Sequence, residues 1–96
     1  MTIDLAAHVA ARGGSQLSLT SREFDLLAFL AANPGQTFSK ADLLRRVWGW
    51  EFGDTSTVTV HVRRLREKLE DDPSDQHIVL TVGRAGYQMP REAELT

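Results

Sequence analysis

TSTVTVHVRRLREKLE, Thr55 to Glu70, is the stretch whose reading decides the fold. Its first half alternates β-branched and polar residues as a strand does, while its second half is charged and rich in good helix formers. Helical angle settles the choice. At about 100° per residue, Val58, Val62, Leu65 and Leu69 fall within roughly 60° of one another, the narrow stripe of a helix packed on a core. As a strand, the same segment would break its alternation at Arg63-Arg64. A helix is expected over 56–70, although β-branched residues favour it only modestly. Its far side carries Ser56, Thr59, Val60, Arg63, Arg64 and Glu67. Val60 is the informative member, an apolar residue within an exposed basic face and with no core to enter.

Two shorter helices precede it. Thr20 with Glu23 three residues on is a capping box, Leu19 can staple to Phe24, and Phe24, Leu27, Ala28, Leu30 and Ala31 follow helical spacing until Asn33-Pro34-Gly35 stops them. Ser39 caps the second start, Leu43, Leu44, Val47 and Trp48 supply a buried side, and Gly49 closes it. Gly49 to Asp54 is then a loop with two large aromatics, Trp50 and Phe52. Before the helices, residues 1–19 read as short strands joined by turns: Ile3 and Leu5 alternate, Val9 is isolated, Gly13-Gly14-Ser15 is a turn, and Leu17 and Leu19 alternate again. After the long helix, ended by Asp71-Asp72-Pro73, the run Ile78 to Val82 reads as a strand, Gly83-Arg84-Ala85-Gly86 as a tight turn, and Tyr87 to Met89 as the returning strand. The fold class is α+β: an N-terminal antiparallel sheet (1–19), three helices (20–72) and a C-terminal hairpin (78–89).

Composition sets the bounds. The chain has 96 residues, a length for one small domain, and no internal repeat. It has no cysteine, hence no disulfide, thiolate nucleophile or cysteine-type zinc site, and its histidines lack ligand spacing. No apolar run approaches the ~20 residues of a membrane span and no secretory signal is present, so a cytoplasmic chain is expected. The formal charge is −2. That mean conceals an uneven distribution, because Thr55 to Arg66 contains three arginines and no acid, whereas Glu67, Glu70, Asp71, Asp72 and Asp75 follow at once.

Two short helices followed by a longer one with a basic outer face are what a helix-turn-helix needs, since its last helix must fit a major groove about 12 Å wide. A hairpin beside it can reach the neighbouring minor groove. Arginine suits both places, because its planar fork grips guanine O6 and N7 or a phosphate. Thr59 and Val60 suit a thymine methyl.

The segments LTSREFDLLAFLAANPGQTFSKADLLRRVWG, TSTVTVHVRRLREKLE and, in looser form, Ile78 to Tyr87 together resemble the effector domain of OmpR/PhoB-type two-component response regulators. The resemblance covers nearly the whole chain. It implies a winged helix-turn-helix fold, sequence-specific binding to double-stranded promoter DNA as a head-to-tail pair on direct repeats, and transcriptional regulation. It also implies an RNA polymerase contact through the loop at Trp50, Glu51 and Phe52. Carried residue by residue, it places Thr59, Val60, Arg63 and Arg64 on bases, and Trp48, Ser56, Thr57, His61, Arg66, Thr81, Arg84 and Tyr87 on or near the DNA backbone. Three positions depart from the family pattern: Ser56 replaces a frequent arginine, Thr59 a common acid, and Gly83-Arg84 the frequent Arg-Gly order. These change which sequence is read. The phosphoacceptor receiver domain of such regulators has no counterpart in the chain, which is expected to be an output domain.

Plainer readings compete for several residues. His61 suits a partly buried structural histidine as well as a phosphate contact, Trp50 and Phe52 suit a cover over the second helix, and Arg22, Lys40, Arg45 and Arg46 suit a solvated surface, with Lys40 and Arg45 within plausible reach of phosphates. A winged helix that binds only protein would show an acidic or apolar third helix, and this one is basic. An enzyme would need a nucleophile with its base, a carboxylate pair or a metal cluster, whereas Ser39, His61 and Asp42 are explained by caps and helix faces. No cofactor, metal or small-molecule substrate is expected.

Overall fold

A computed structural model describes residues 2–51, 53–70 and 78–91. The elements run β1 Thr2–Asp4, β2 Val9–Arg12, β3 Ser15–Gln16, α1 Ser21–Ala32, α2 Lys40–Trp48, α3 Ser56–Leu69, β4 Leu80–Val82 and β5 Gly86–Gln88. Val58, Val62, Leu65 and Leu69 form the buried face of α3, as their angles require. The helix ends one residue earlier than expected. Glu70 is already extended, and its side chain turns into the protein. The expected stop at Asp71-Asp72-Pro73 lies outside the described residues.

The other helices begin and end where side-chain chemistry directs. At α1 the Thr20 hydroxyl accepts from the Glu23 N–H at 3.2 Å while the Glu23 carboxylate accepts from the Thr20 N–H at 3.0 Å, so two otherwise unpaired donors are satisfied reciprocally. At α2 the Ser39 hydroxyl accepts from the Asp42 N–H at 3.0 Å, and Gly49, at φ 75°, supplies the left-handed residue that closes the helix. Phe24, Leu26, Leu27, Leu30, Leu43 and Leu44 bury their side chains with the α3 stripe in one core. Ala28 and Ala31 are only partly buried, and Leu26, absent from the expected stripe, is fully buried.

The N-terminal sheet is antiparallel with order β1-β2-β3. Arg12 pairs with Ser15 across Gly13-Gly14, whose φ values of 59° and 81° meet the demand of a two-residue hairpin turn. The expected Ile3/Leu5 alternation stops at Asp4: Leu5 lies in the turn and is 69% exposed. Val9 opens the central strand, and Leu17 and Leu19 pack on the core without being in a strand.

The C-terminal hairpin is shorter than expected. β4 and β5 pair antiparallel from Leu80↔Gln88 to Val82↔Gly86, while Ile78 and Val79 form a buried bend before the ladder starts. Phe38, between α1 and α2, exchanges two backbone hydrogen bonds of 2.9 Å with Tyr87 and so extends this small sheet by one bridge. Gly86 allows that approach, since a Cβ there would lie 1.9 Å from the Phe38 carbonyl oxygen.

One buried charge ties the first helix to the third. Glu23 is 1% exposed, and its Oε1 also receives Lys68 Nζ of α3 at 2.5 Å. Burial alone would raise its carboxyl pKa, but the hydrogen bonds from Lys68 and Thr20 and the Lys68 charge outweigh burial and hold it below the ordinary glutamate value. A depressed folded pKa contributes stability that is complete above the unfolded pKa and is lost as pH falls through the folded one. Glu23→Gln should therefore cost about 1–3 kcal/mol at neutral pH, and the difference from wild type should shrink as urea midpoints are followed below about pH 5. A difference that does not vary with pH would show that the carboxylate charge is not what stabilises. Leu65→Ala should cost about 2–5 kcal/mol in the same melts by opening a cavity under α3, and a much smaller loss would contradict its place in the core.

Candidate nucleic-acid interface

The outer face of α3 is basic. Arg63 and Arg64 are exposed beside half-buried Thr57, Thr59 and Val60, and neither arginine makes an ion pair among the described residues. Val60, Arg63, Arg64 and Glu67 enclose a shallow hollow of about 220 Å³. At the start of the helix, Thr55 makes no capping hydrogen bond with its side chain; Asp54 takes that task by accepting the Ser56 N–H at 2.9 Å. Hydrogen bonds from the Ser56 backbone and hydroxyl hold the Asp54 carboxyl below its ordinary pKa. Ser56 is thus engaged locally, and Asp54 is a positioning residue that reading from Thr55 onward overlooks.

Several residues expected along the DNA backbone have internal partners. The His61 Nδ1–H donates to the Thr57 carbonyl at 2.8 Å, which leaves Nε2 for another partner. The His61 ring meets Trp48 edge-on at 5.0 Å, and Trp48, 8% exposed, carries the Arg22 guanidinium over its ring at 5.7 Å. Tyr87 is 5% exposed. Arg66 lies over the Tyr87 ring at 5.4 Å, donates from Nε to the Val79 carbonyl at 3.0 Å, and reaches the Thr81 hydroxyl from Nη2 at 2.6 Å. Trp48 and Tyr87 therefore have only their edges to offer a ligand, and Arg66 braces α3 against β4.

Glu70 completes that brace. Its Oε2 accepts the N–H groups of Ile78 and Val79 at 2.9 and 3.0 Å, the two donors that the bend before β4 withholds from the ladder. Arg12 of β2 donates to the Leu69 carbonyl at 2.8 Å, satisfying an acceptor at the open end of the helix. Sequence spacing counts Glu70 as one more member of an acidic run and gives no sign of this role.

Thr81 and Arg84 are exposed on the hairpin. Between that hairpin and the N-terminus of α2 lies a cleft of about 450 Å³ lined by Ser39, Lys40, Thr81, Arg84 and Tyr87. Lys40, read from sequence as chiefly a surface residue, thus joins Arg84 at a helix N-terminus, where N–H groups favour an anion. Arg45 is instead paired with Asp42. In the loop after α2, Trp50 is 45% exposed and its ring covers Gly53, while Glu51 is exposed and Phe52 lies outside the described residues. Among the described residues, no group of three or more His, Cys, Asp or Glu is placed to hold a metal ion.

A three-helix core whose third helix is basic on its outer face, followed by a C-terminal hairpin, defines a winged helix-turn-helix domain. The family described as "Transcriptional regulatory protein, C terminal" matches residues 14–89. The chain belongs to that family, and it is a DNA-binding effector domain of the OmpR/PhoB type. It is 51% identical over 87 residues to the DNA-binding response regulator MtrA of Mycolicibacterium paratuberculosis, an alignment covering 90% of this chain and 39% of that protein. Its structure is similar to the response regulator DrrB of Thermotoga maritima, an OmpR/PhoB homologue, with a TM-score of 0.84 at 29% identity over 92% of this chain and 40% of DrrB. It is also similar to the DNA-binding domain of RstA from Klebsiella pneumoniae, solved in complex with the RstA box, with a TM-score of 0.82 at 32% identity, covering 92% and 88% of the two chains.

The brace has a measurable consequence. Arg66→Ala should cost about 1–3 kcal/mol of stability and speed amide exchange at Thr81 and Val82, because the wing loses its tie to α3. Unchanged wing exchange, with a salt dependence of DNA binding lowered by about one phosphate contact, would instead assign the guanidinium to DNA.

Proposed function

We propose that this domain reads promoter DNA by laying α3 in the major groove and setting the hairpin, its wing, beside the adjoining minor groove. The observation that carries this reading is the exposed pair Arg63 and Arg64 on the face of α3 opposite the core stripe, free of ion pairs among the described residues. Thr59, Val60, Arg63 and Arg64 meet base edges, the arginines through bidentate contacts to guanine and the apolar atoms through thymine methyls. Ser56, Thr57, His61, Thr81 and Arg84 lie along the backbone, with the edges of Trp48 and Tyr87, Lys40 adds a charge at the N-terminus of α2, and Arg66, held by Val79 and Thr81, sets the wing beside them. The RstA domain bound to its box supports this docking by analogy of fold and sequence.

The chain spans about two fifths of the length of the curated relatives it matches. In the whole protein we infer a phosphoacceptor domain that controls this one, with two copies set head to tail on direct repeats in the cytoplasm. Trp50 and Glu51 form the surface offered to RNA polymerase, in the loop where the sequence also carries Phe52. The exposed Trp50 ring supports that part of the reading, since tryptophan is enriched at protein contact surfaces.

Selection from a randomised duplex pool at two salt concentrations tests the proposal. The wild-type domain should enrich a direct repeat with half-sites about one helical turn apart and lose affinity steeply as salt rises. Arg64→Ala should weaken binding by about 1–3 kcal/mol and relax one position of each half-site. An equal loss on scrambled DNA would move Arg64 from the bases to the phosphates, and a pool with no enriched site would reject the groove-reading proposal.

A further inference from the structure

Glu67 is the one acid on the outer face of α3, exposed and directed away from the buried stripe. Together with Val60, Arg63 and Arg64 it lines the same hollow, and these four stand at i, i+3, i+4 and i+7. That spacing is how a helix lying along a major groove presents side chains to successive base pairs. Seven residues advance about 10 Å along the axis, roughly three base-pair steps, so Glu67 stands at the far end of the row that Val60 begins.

The bland account of such a residue is a helix-surface ion pair, which its spacing to Arg63 and Arg64 allows. The geometry does not take that course. Elsewhere the i,i+3 pairs close, Arg22 with Asp25 at 3.6 Å and Arg45 with Asp42, yet Glu67 makes no ion pair among the described residues. Its carboxylate is left facing the same space as the two arginines. A carboxylate approaching DNA is repelled by phosphates, and only one groove edge compensates it well. Cytosine offers the N4 amino donor in the major groove, whereas guanine offers acceptors alone, thymine an acceptor and a methyl, and adenine a donor flanked by the N7 acceptor.

We infer that Glu67 is a specificity-determining residue that selects cytosine at one position of each half-site, about three base-pair steps from the position met by Val60. The inference rests on the groove docking proposed above. Glu67 acts as much by rejection as by attraction, since a purine or thymine acceptor at that position faces an uncompensated negative charge.

The test repeats the randomised-duplex selection with wild type, Glu67→Ala and Glu67→Gln, followed by titration of the enriched duplex and of the same duplex with that cytosine replaced. Because Glu67 is exposed, both variants should keep the wild-type denaturation midpoint. Wild type should discriminate against the replacement by about 5- to 150-fold. Glu67→Ala should lose that discrimination and bind the replaced duplexes more tightly than wild type does. Glu67→Gln should shift the preference from cytosine towards adenine, whose N6 and N7 suit an amide. If wild type enriches a site and both variants enrich the same one, with affinity raised equally on all duplexes, Glu67 only repels the backbone and this inference alone falls. If wild type enriches nothing, the docking falls and this inference with it.

Discussion

Glu70 and Arg66, one helical turn apart at the end of α3, take hold of the backbone that leads into the wing. The carboxylate receives two N–H groups of the bend at Ile78 and Val79, and the guanidinium gives to the Val79 carbonyl and the Thr81 hydroxyl. Two oppositely charged side chains thereby satisfy donors and an acceptor that a three-residue strand leaves outside its ladder. On its other side the same hairpin is bound by Phe38 to Tyr87, through a gap that only glycine at position 86 leaves open. The wing is therefore fixed relative to α3 by one set of contacts and relative to the α1–α2 connection by another. Two elements held at a set spacing suit a rigid DNA reader, and a wing attached by its turn alone would have to be ordered on binding at an entropic cost.

The disposition of charge follows from the same economy of contacts. The chain is acidic on average, yet its described acids are mostly occupied away from the outer face of α3. Glu23 is buried against Lys68, Glu70 against the wing backbone, Asp25 pairs with His8 and Arg22, Asp42 with Arg45, and Asp54 with Ser56. Each of these carboxylates sits where a helix end, a cation or a backbone N–H stabilises its charge. What remains in solvent on α3 is Arg63 and Arg64 with a single acid between them and the helix end. Net charge is a poor guide to partner here because short-range pairing, not the sum, decides which charges face outward.

How much of this was legible in the sequence depends on whether the deciding force is local. The capping box at Thr20 and Glu23, the Ser39 cap, the Gly49 stop and the α3 stripe were all readable, because each is settled within one or two helical turns. The N-terminal strands were read only coarsely. Leu5 continues the alternation of Ile3 yet lies in a turn, since the register is set by pairing with β2 and not by the side-chain pattern of three residues. The wing ladder starts two residues later than the strand pattern from Ile78 predicts for a related reason: Ile78 and Val79 have the composition of a strand, but their N–H groups are claimed by Glu70. Of the site, the outward residues of α3 were legible from angle alone. The burial of Trp48 follows from its place on the inner side of the second helix, whereas the bonds of Arg66 to Val79 and Thr81 and the meeting of Trp48 with His61 do not show in the sequence, because they join segments far apart in the chain.

That division separates two kinds of position on one short helix. Val58, Val62, Leu65 and Leu69 answer to the core, and Arg66, Lys68 and Glu70 answer to α1 and the wing, so each is constrained by partners inside the domain. Arg63, Arg64 and Glu67 are exposed with no comparable partners among the described residues, and Thr59 and Val60 beside them are half-buried. A scaffold of this kind lets the outer positions vary with the DNA sequence to be read while the helix stays in place. Ser56 and Thr59 fall on this outer side as well, Ser56 bonded to Asp54 and Thr59 half-buried beside the arginines. Arg66 belongs to the other side of the division: its bonds to Val79 and Thr81 tie the wing to α3, so the relative placement of the two elements depends on it.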